Sequence, residues 1–176
     1  FQRKRHRTIL RTRRQMQGIG RNRMIKKAKI NELQAEHKCT NAKYEYHKRP
    51  FVSRGEASQC VVNIYHIPPM KSAYPYHYHC KNEETFYIIS GSGTLKTPEG
   101  EMAVEAGDLL FFPADAGGAH KLTNTSPAEM LTYIDFDTNN DVEAVIYPDS
   151  NKIGIWGSGT NKVFQVEDEV DYYDGE

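Results

Sequence analysis

Pro75-Tyr-His-Tyr-His-Cys-Lys-Asn-Glu-Glu-Thr-Phe-Tyr-Ile-Ile-Ser-Gly91 is the stretch on which the fold turns. His77 and His79 stand two residues apart, and on an extended strand residues i and i+2 face the same side. At ~3.3 Å rise per residue their Cβ atoms lie about 6.6 Å apart, close enough for two imidazoles to converge on one ion. Glu84 opens an apolar strand, Thr85-Phe-Tyr-Ile-Ile89, that stops at Ser90-Gly91. A turn between His79 and Glu84 would bring the carboxylate back beside the imidazoles.

A second stretch extends the set. Gly107-Asp-Leu-Leu-Phe-Phe-Pro113 reads as a strand buried on both faces, Ala114-Asp-Ala-Gly-Gly118 as a loop, and His120 opens the strand His120-Lys-Leu-Thr-Asn124. An isolated histidine is usually a surface residue. A His-x-His pair, a carboxylate and a later histidine, each beside a strand and a Gly/Pro turn, point instead to a metal site.

These two stretches resemble the paired motifs of the cupin superfamily. The first motif runs His77, one residue, His79, four residues, Glu84, six residues, Gly91, without the Gly that usually leads it. The second runs Gly107, five residues, Pro113, then Gly117, two residues, His120, three residues, Asn124, with a Pro-to-Gly gap two residues longer than the pattern. The resemblance implies an all-β, double-stranded β-helix (jelly-roll) barrel. It also implies a metal held by His77, His79, Glu84 and His120; Glu83 is the rival carboxylate, and the six-residue spacing to Gly91 favours Glu84. Tyr147-Pro-Asp-Ser150 and Val170-Asp-Tyr-Tyr-Asp-Gly-Glu176 resemble pieces of small bacterial single-domain cupins of the sugar-phosphate-isomerase type. That resemblance spans roughly residues 24–176 and is specific for fold and metal site, not for a reaction, because one fold hosts many chemistries.

The 176 residues suffice for one domain with a real core. Charge is balanced overall and unevenly spread: residues 1–38 carry 13 Lys/Arg against 2 Glu, the rest 10 Lys/Arg against 21 Asp/Glu. The acidic remainder argues against nucleic-acid binding by the barrel. Cys39, Cys60 and Cys80 are too few, and odd in number, for a disulfide framework, which suggests a reducing, cytoplasmic setting. No run approaches 18 apolar residues, so no membrane span is expected.

Residues 1–23 hold nine Lys/Arg and no acid, and are expected to be a disordered or short-helical leader outside the native chain. Met24-Ile-Lys-Lys-Ala-Lys-Ile resembles an ordinary bacterial start; an arm for nucleic acid or an anionic surface is the alternative. Residues 24–58 read as an N-terminal arm, with a helical turn near Ile30 and a strand over Lys43–Pro50 in which His47 is a surface residue. Residues 59–140 read as the barrel, beginning with the β-branched strand Gln59–Ile67. Short strands at 8–12-residue spacing follow, with no amphipathic helix after residue 40. Residues 141–176 read as a C-terminal strand and acidic tail, packed on the barrel or a second subunit. Tyr74, Tyr76 and Tyr78 line a pocket mouth or cover an edge. Cys80 faces away from His79 and is not expected to be a ligand.

Three imidazoles and a carboxylate suit Fe, Mn, Ni, Co or Zn and leave about two coordination positions open. Two classes of function follow. One is a metal-dependent enzyme on a small polar substrate: an isomerase of the sugar-phosphate type or a dioxygenase. Glu83 and Tyr87 are the guesses for its catalytic groups. The other is a non-catalytic module binding metal or a small molecule. Lys81 and Lys121 are the only cations near the motifs, which counts against a phosphate. Exposed strand edges and an aromatic tail favour a homodimer.

Overall fold

The computed structural model describes residues 25–56, 59–157 and 159–176, so the basic leader expected over 1–23 lies outside the described residues. Thirteen strands run through the described chain, joined by turns and 3-10 segments. They are β1 (Glu36–Asn41), β2 (Tyr44–Val52), β3 (Cys60–Ile67), β4 (Tyr78–His79), β5 (Glu84–Ser90), β6 (Ser92–Thr97), β7 (Gly100–Glu105), β8 (Leu109–Phe112), β9 (Lys121–Thr123), β10 (Leu131–Thr138), β11 (Val142–Tyr147), β12 (Lys152–Gly157) and β13 (Thr160–Gln165). There is no α-helix among the described residues, and none of their helices is long and apolar enough to cross a membrane.

A six-stranded sheet in the order β1-β2-β3-β10-β5-β8 forms one wall. A three-stranded sheet, β7-β6-β9, and a four-stranded one, β13-β12-β11-β4, complete the barrel. Every strand pairing is antiparallel. This is the all-β cupin barrel that the motifs imply. Residues 24–58, read as an arm, contribute β1 and β2 to the large sheet. Residues 141–176 contribute β11 to β13, and β11 in turn holds β4 through Val145 opposite His79.

Period-two alternation decides which side chains turn inward. On β10, Leu131, Tyr133 and Asp135 are buried while Phe136 is 44% exposed. On β5, Glu84, Phe86 and Ile88 are buried and Tyr87 is exposed. The core collects Tyr65, Ile67, Phe86, Ile88, Leu95, Val104, Leu122, Leu131 and Tyr133. The Tyr65 and Tyr133 rings stack at 5.1 Å across the β3–β10 pair.

Two glycines in the motifs are required by close approach. Gly91 has φ +83, and a Cβ there would collide with the Met130 carbonyl. In the second motif the crowded residue is Gly118, where a Cβ would meet the Pro113 carbonyl; Gly117 has open space around it.

The run Leu109–Phe112 departs from the sequence reading. β8 is an edge strand with only one covered face, so Leu109 and Phe111 are 73% and 61% exposed while Phe112 is buried. An unbroken apolar run does not by itself distinguish a strand covered on both faces from an edge strand with an apolar outer side. The tail likewise ends in solvent, with Tyr172 and Tyr173 largely exposed.

Candidate metal centre

His77 and His120 face each other across an antiparallel bridge. Each backbone N–H donates to the other's carbonyl, at 3.1 and 2.9 Å, so the two Cβ atoms sit side by side on the inner face. The ring centroids lie 4.8 Å apart. His79 follows on β4, its ring 5.3 Å from that of His77. Glu84, the first residue of β5, completes the group: a ligand atom from each of His77, His79 and Glu84 lies within 4.8 Å of the others. His120 Nε2 is 3.2 Å, and His79 Nε2 3.5 Å, from Glu84 Oε2.

The ring orientations suit a metal. His77 Nδ1 bonds the Pro75 carbonyl at 2.9 Å and His120 Nδ1 bonds the Gly118 carbonyl at 2.9 Å, which fixes the tautomers and turns both Nε2 atoms inward. His120 Nε2, Glu84 Oε2 and His79 Nδ1 are buried without a hydrogen-bond partner. Unpartnered buried polar atoms cost free energy, and an ion on this N₃O set would satisfy the inward-facing ones. The residues therefore fit a borderline divalent metal, with His77, His79 and His120 offering nitrogen and Glu84 oxygen. Burial, and next the neighbouring His120, push the His77 imidazole down to about 4, so this ring stays neutral over the range in which a metal would bind. Burial by itself would raise Glu84; the His120 contact and the other histidines outweigh it and hold the carboxyl below its ordinary value.

The site opens on a cavity of about 540 Å³. Its wall includes Lys48, Arg54 and Lys121, and also Asp135, Asp137, Tyr74, Tyr147 and Trp156. Lys48 and Arg54 come from the N-terminal segment, far in sequence from the motifs, and so escape a search confined to them. Lys81 is exposed and does not line the cavity. Of the three tyrosines read as a pocket mouth, Tyr74 lines the cavity, bonded to Tyr65 and Tyr46 at 2.9 and 3.2 Å; Tyr76 and Tyr78 do not. Glu83 and Tyr87, the guesses for catalytic groups, are exposed and absent from the cavity wall. Alternation along β5 sends Glu84 and Phe86 inward and puts Tyr87 outside. Cys80 also stays out of the wall; its backbone N–H donates to Glu143.

Glu143 is a residue the sequence reading did not single out. Its fully buried carboxylate accepts the backbone N–H groups of Cys80, Lys81 and Asn82, at 2.8, 3.1 and 2.9 Å, and so fastens the loop between His79 and Glu84. Asp135 and Asp137 were also missed. Both lie on the cavity side of β10 with Oδ1 unpartnered. Burial, and next the charge of Glu84, raise Asp137 to about 7 and move Asp135 well above the carboxylate range.

A stability prediction follows for metal-free protein. Asp137 is protonated in both states at low pH. As pH rises from about 4 to about 7 the unfolded chain releases this proton and the folded chain keeps it, so stability is lost through that window. Asp137→Asn is expected to leave stability at pH 4 nearly unchanged and to raise it at pH 8 by roughly 2–4 kcal/mol. Urea unfolding in the presence of a chelator at the two pH values measures this, and equal effects at both would contradict it.

Residues 63–134 match the family described as Cupin domain. No curated protein matches the chain. Among solved structures it is similar to a candidate sugar phosphate isomerase from Acidithiobacillus ferrooxidans, with 25% identity, TM-score 0.71, and 81% of this chain and 91% of that one covered. A sugar phosphate isomerase of the cupin superfamily from Silicibacter pomeroyi aligns at 19% identity with TM-score 0.72, covering 84% and 98%. The polyketide cyclase RemF from Streptomyces resistomycificus aligns at 22% identity with TM-score 0.55, covering 66% and 81%. The barrel topology, the paired motifs and the matched segment agree: the chain carries a cupin domain over residues 63–134.

Proposed function

We propose that the protein is a metal-dependent enzyme that isomerises a small phosphorylated sugar or a closely similar anionic polyol. One observation carries this reading: three imidazoles and a carboxylate converge at a cavity whose wall also bears Lys48, Arg54 and Lys121. The candidate isomerase from Acidithiobacillus ferrooxidans, alike over most of both chains, supports the substrate class. In this reading His77, His79, Glu84 and His120 hold a divalent metal of the Fe, Mn, Ni, Co or Zn group. When bound, the metal supplies Lewis acidity to adjacent hydroxyl and carbonyl oxygens. Lys48, Arg54 and Lys121 hold the anionic group and set which end of the substrate reaches the ligands. Asp137, near 7 in the metal-free site and with a free Oδ1, takes and returns the proton that moves between neighbouring carbons.

The test is turnover of a panel of aldose and ketose phosphates by metal-loaded protein. Asp137→Asn is expected to lower kcat by about 10²-fold or more. Lys48→Ala is expected to raise KM by about 10-fold or more with a smaller change in kcat, because it removes a charge-assisted contact of ~1.5–3 kcal/mol. Tight metal without turnover across the panel would return the chain to the binding-module reading. Oxygen uptake with an organic acid would favour the dioxygenase.

A further inference from the structure

A second group of metal-ligating side chains lies on the opposite face of the large sheet. His37 on β1 is paired with His47 on β2, and the adjacent pair on that face is Cys39 with Glu45. Directly opposed residues on an antiparallel ribbon share a face, so these four project from the same side. Glu36 and Lys48, one residue along on each strand, line the cavity on the other side. Ligand atoms of His37, Glu45 and His47 lie within 4.8 Å of one another. His37 Nε2 sits 3.1 Å from Glu45 Oε1, and the two imidazoles stack at 4.4 Å. The row continues across the sheet: His66 on β3 is the register partner of His47. Its Nδ1 is tied to Thr132 Oγ1 at 3.0 Å, while its Nε2 is buried with no partner. Arg49, a cation on the same strand face, is drawn off by its bond to the Leu33 carbonyl.

We propose that His37, Glu45 and His47 form a second site for a zinc-class divalent ion, with the free, exposed Cys39 beside Glu45 as a further sulfur ligand. Tetrahedral ligands at ~2.0–2.1 Å from zinc lie about 3.3 Å apart, so closing the site takes a shift of roughly 1.5 Å by the side chains. They are exposed or half-buried on an edge hairpin and free to make it. In the metal-free state the His37–Glu45 contact is bridged by a proton, and the ion takes that proton's place. The ion clamps β1, every residue of which is exposed, onto β2. It thereby fixes the hairpin whose other face carries Glu36 and Lys48 into the cavity wall. The site shares no ligand with the cavity set and stands or falls independently of the proposed isomerase.

The experiment is a zinc titration of untagged full-length protein against a chromophoric chelator. Wild-type protein is expected to bind two equivalents, and His77→Ala/His120→Ala protein to keep one at micromolar or tighter affinity. His37→Ala/His47→Ala in the wild-type background is expected to lower two equivalents to one, which keeps the test valid if the cavity variant fails to fold. Zinc is also expected to slow amide exchange over β1 and β2 in the cavity variant. A single wild-type equivalent that is unaffected by His37→Ala/His47→Ala would overturn the proposal, and so would a second equivalent that survives this change.

Discussion

Protein carrying both His77→Ala and His120→Ala is expected to lose the cavity metal outright, a drop in affinity beyond ~10³-fold. The two imidazoles are locked opposite each other by reciprocal backbone hydrogen bonds, and each is aimed by its own bond to a carbonyl. Loss of an orienting partner alone typically costs about 10–100-fold, and here two of four direct ligands go. The smaller side chains leave the bridge and the barrel in place, so circular dichroism is expected to stay that of the parent. Metal analysis after gel filtration reads the result at the cavity; a cavity metal retained at full stoichiometry would show that the ligand set is wrong. With the wild-type site, affinity is expected to fall with acid as metal competes with protons for the histidines. His77, pushed down to about 4 chiefly by burial, stays neutral well into the acid range.

Glu143→Ala is expected to be the most damaging single change for stability, at about 3–5 kcal/mol. The carboxylate is 1% exposed as a residue, and three backbone N–H groups point at it from one short loop. Alanine strips the Lys81 and Asn82 N–H groups of their acceptor, the latter in a buried residue, leaves Cys80 only its bond to the Ala144 carbonyl, and opens a space where the carboxylate lay. The same change frees the loop between His79 and Glu84, so metal affinity falls as well. Glu143→Gln separates the two roles of shape and charge. Its amide oxygen still accepts from Cys80 and Lys81, while its NH₂ is set against the Asn82 N–H, for a cost of roughly 1–3 kcal/mol. Urea unfolding of the three proteins measures this, and a loss below about 1 kcal/mol for Glu143→Ala would contradict the account.

The first motif was readable because it is local, whereas the barrel and the joining of His120 to the set rested on the resemblance to the paired cupin motifs. His-x-His spacing, the step to Glu84 and the glycine at Gly91 are set by one strand and one turn each. Glu143 was hidden because its partners lie some sixty residues earlier, and nothing around it in sequence marks a buried acid. Asp135 and Asp137 stood in an alternating strand where polar residues are expected to face water; the cavity makes their inward side the polar one. Lys48 lies on β2 and Arg54 in the turn that follows it, and β2 reaches the large sheet through its pairing with β3, well away from the motifs in sequence. β8 was misread because an edge strand and a central strand can carry the same apolar run.

Part of the cavity wall comes from a different stretch of the chain than the ligands do. The segment recognised as the family's domain, residues 63–134, contains all four candidate ligands, yet Lys48, Arg54, Asp135, Asp137, Tyr147 and Trp156 all lie outside it. The shared segment supplies Lys121 and Tyr74 to the wall, and the flanks supply the groups just named, so kinship judged on that segment alone tells only part of what the cavity accepts. A lineage can keep one ion-holding kernel and change what it acts on by rewriting the flanks, so two cupins with identical ligands are poor guides to each other's substrates unless their termini also agree.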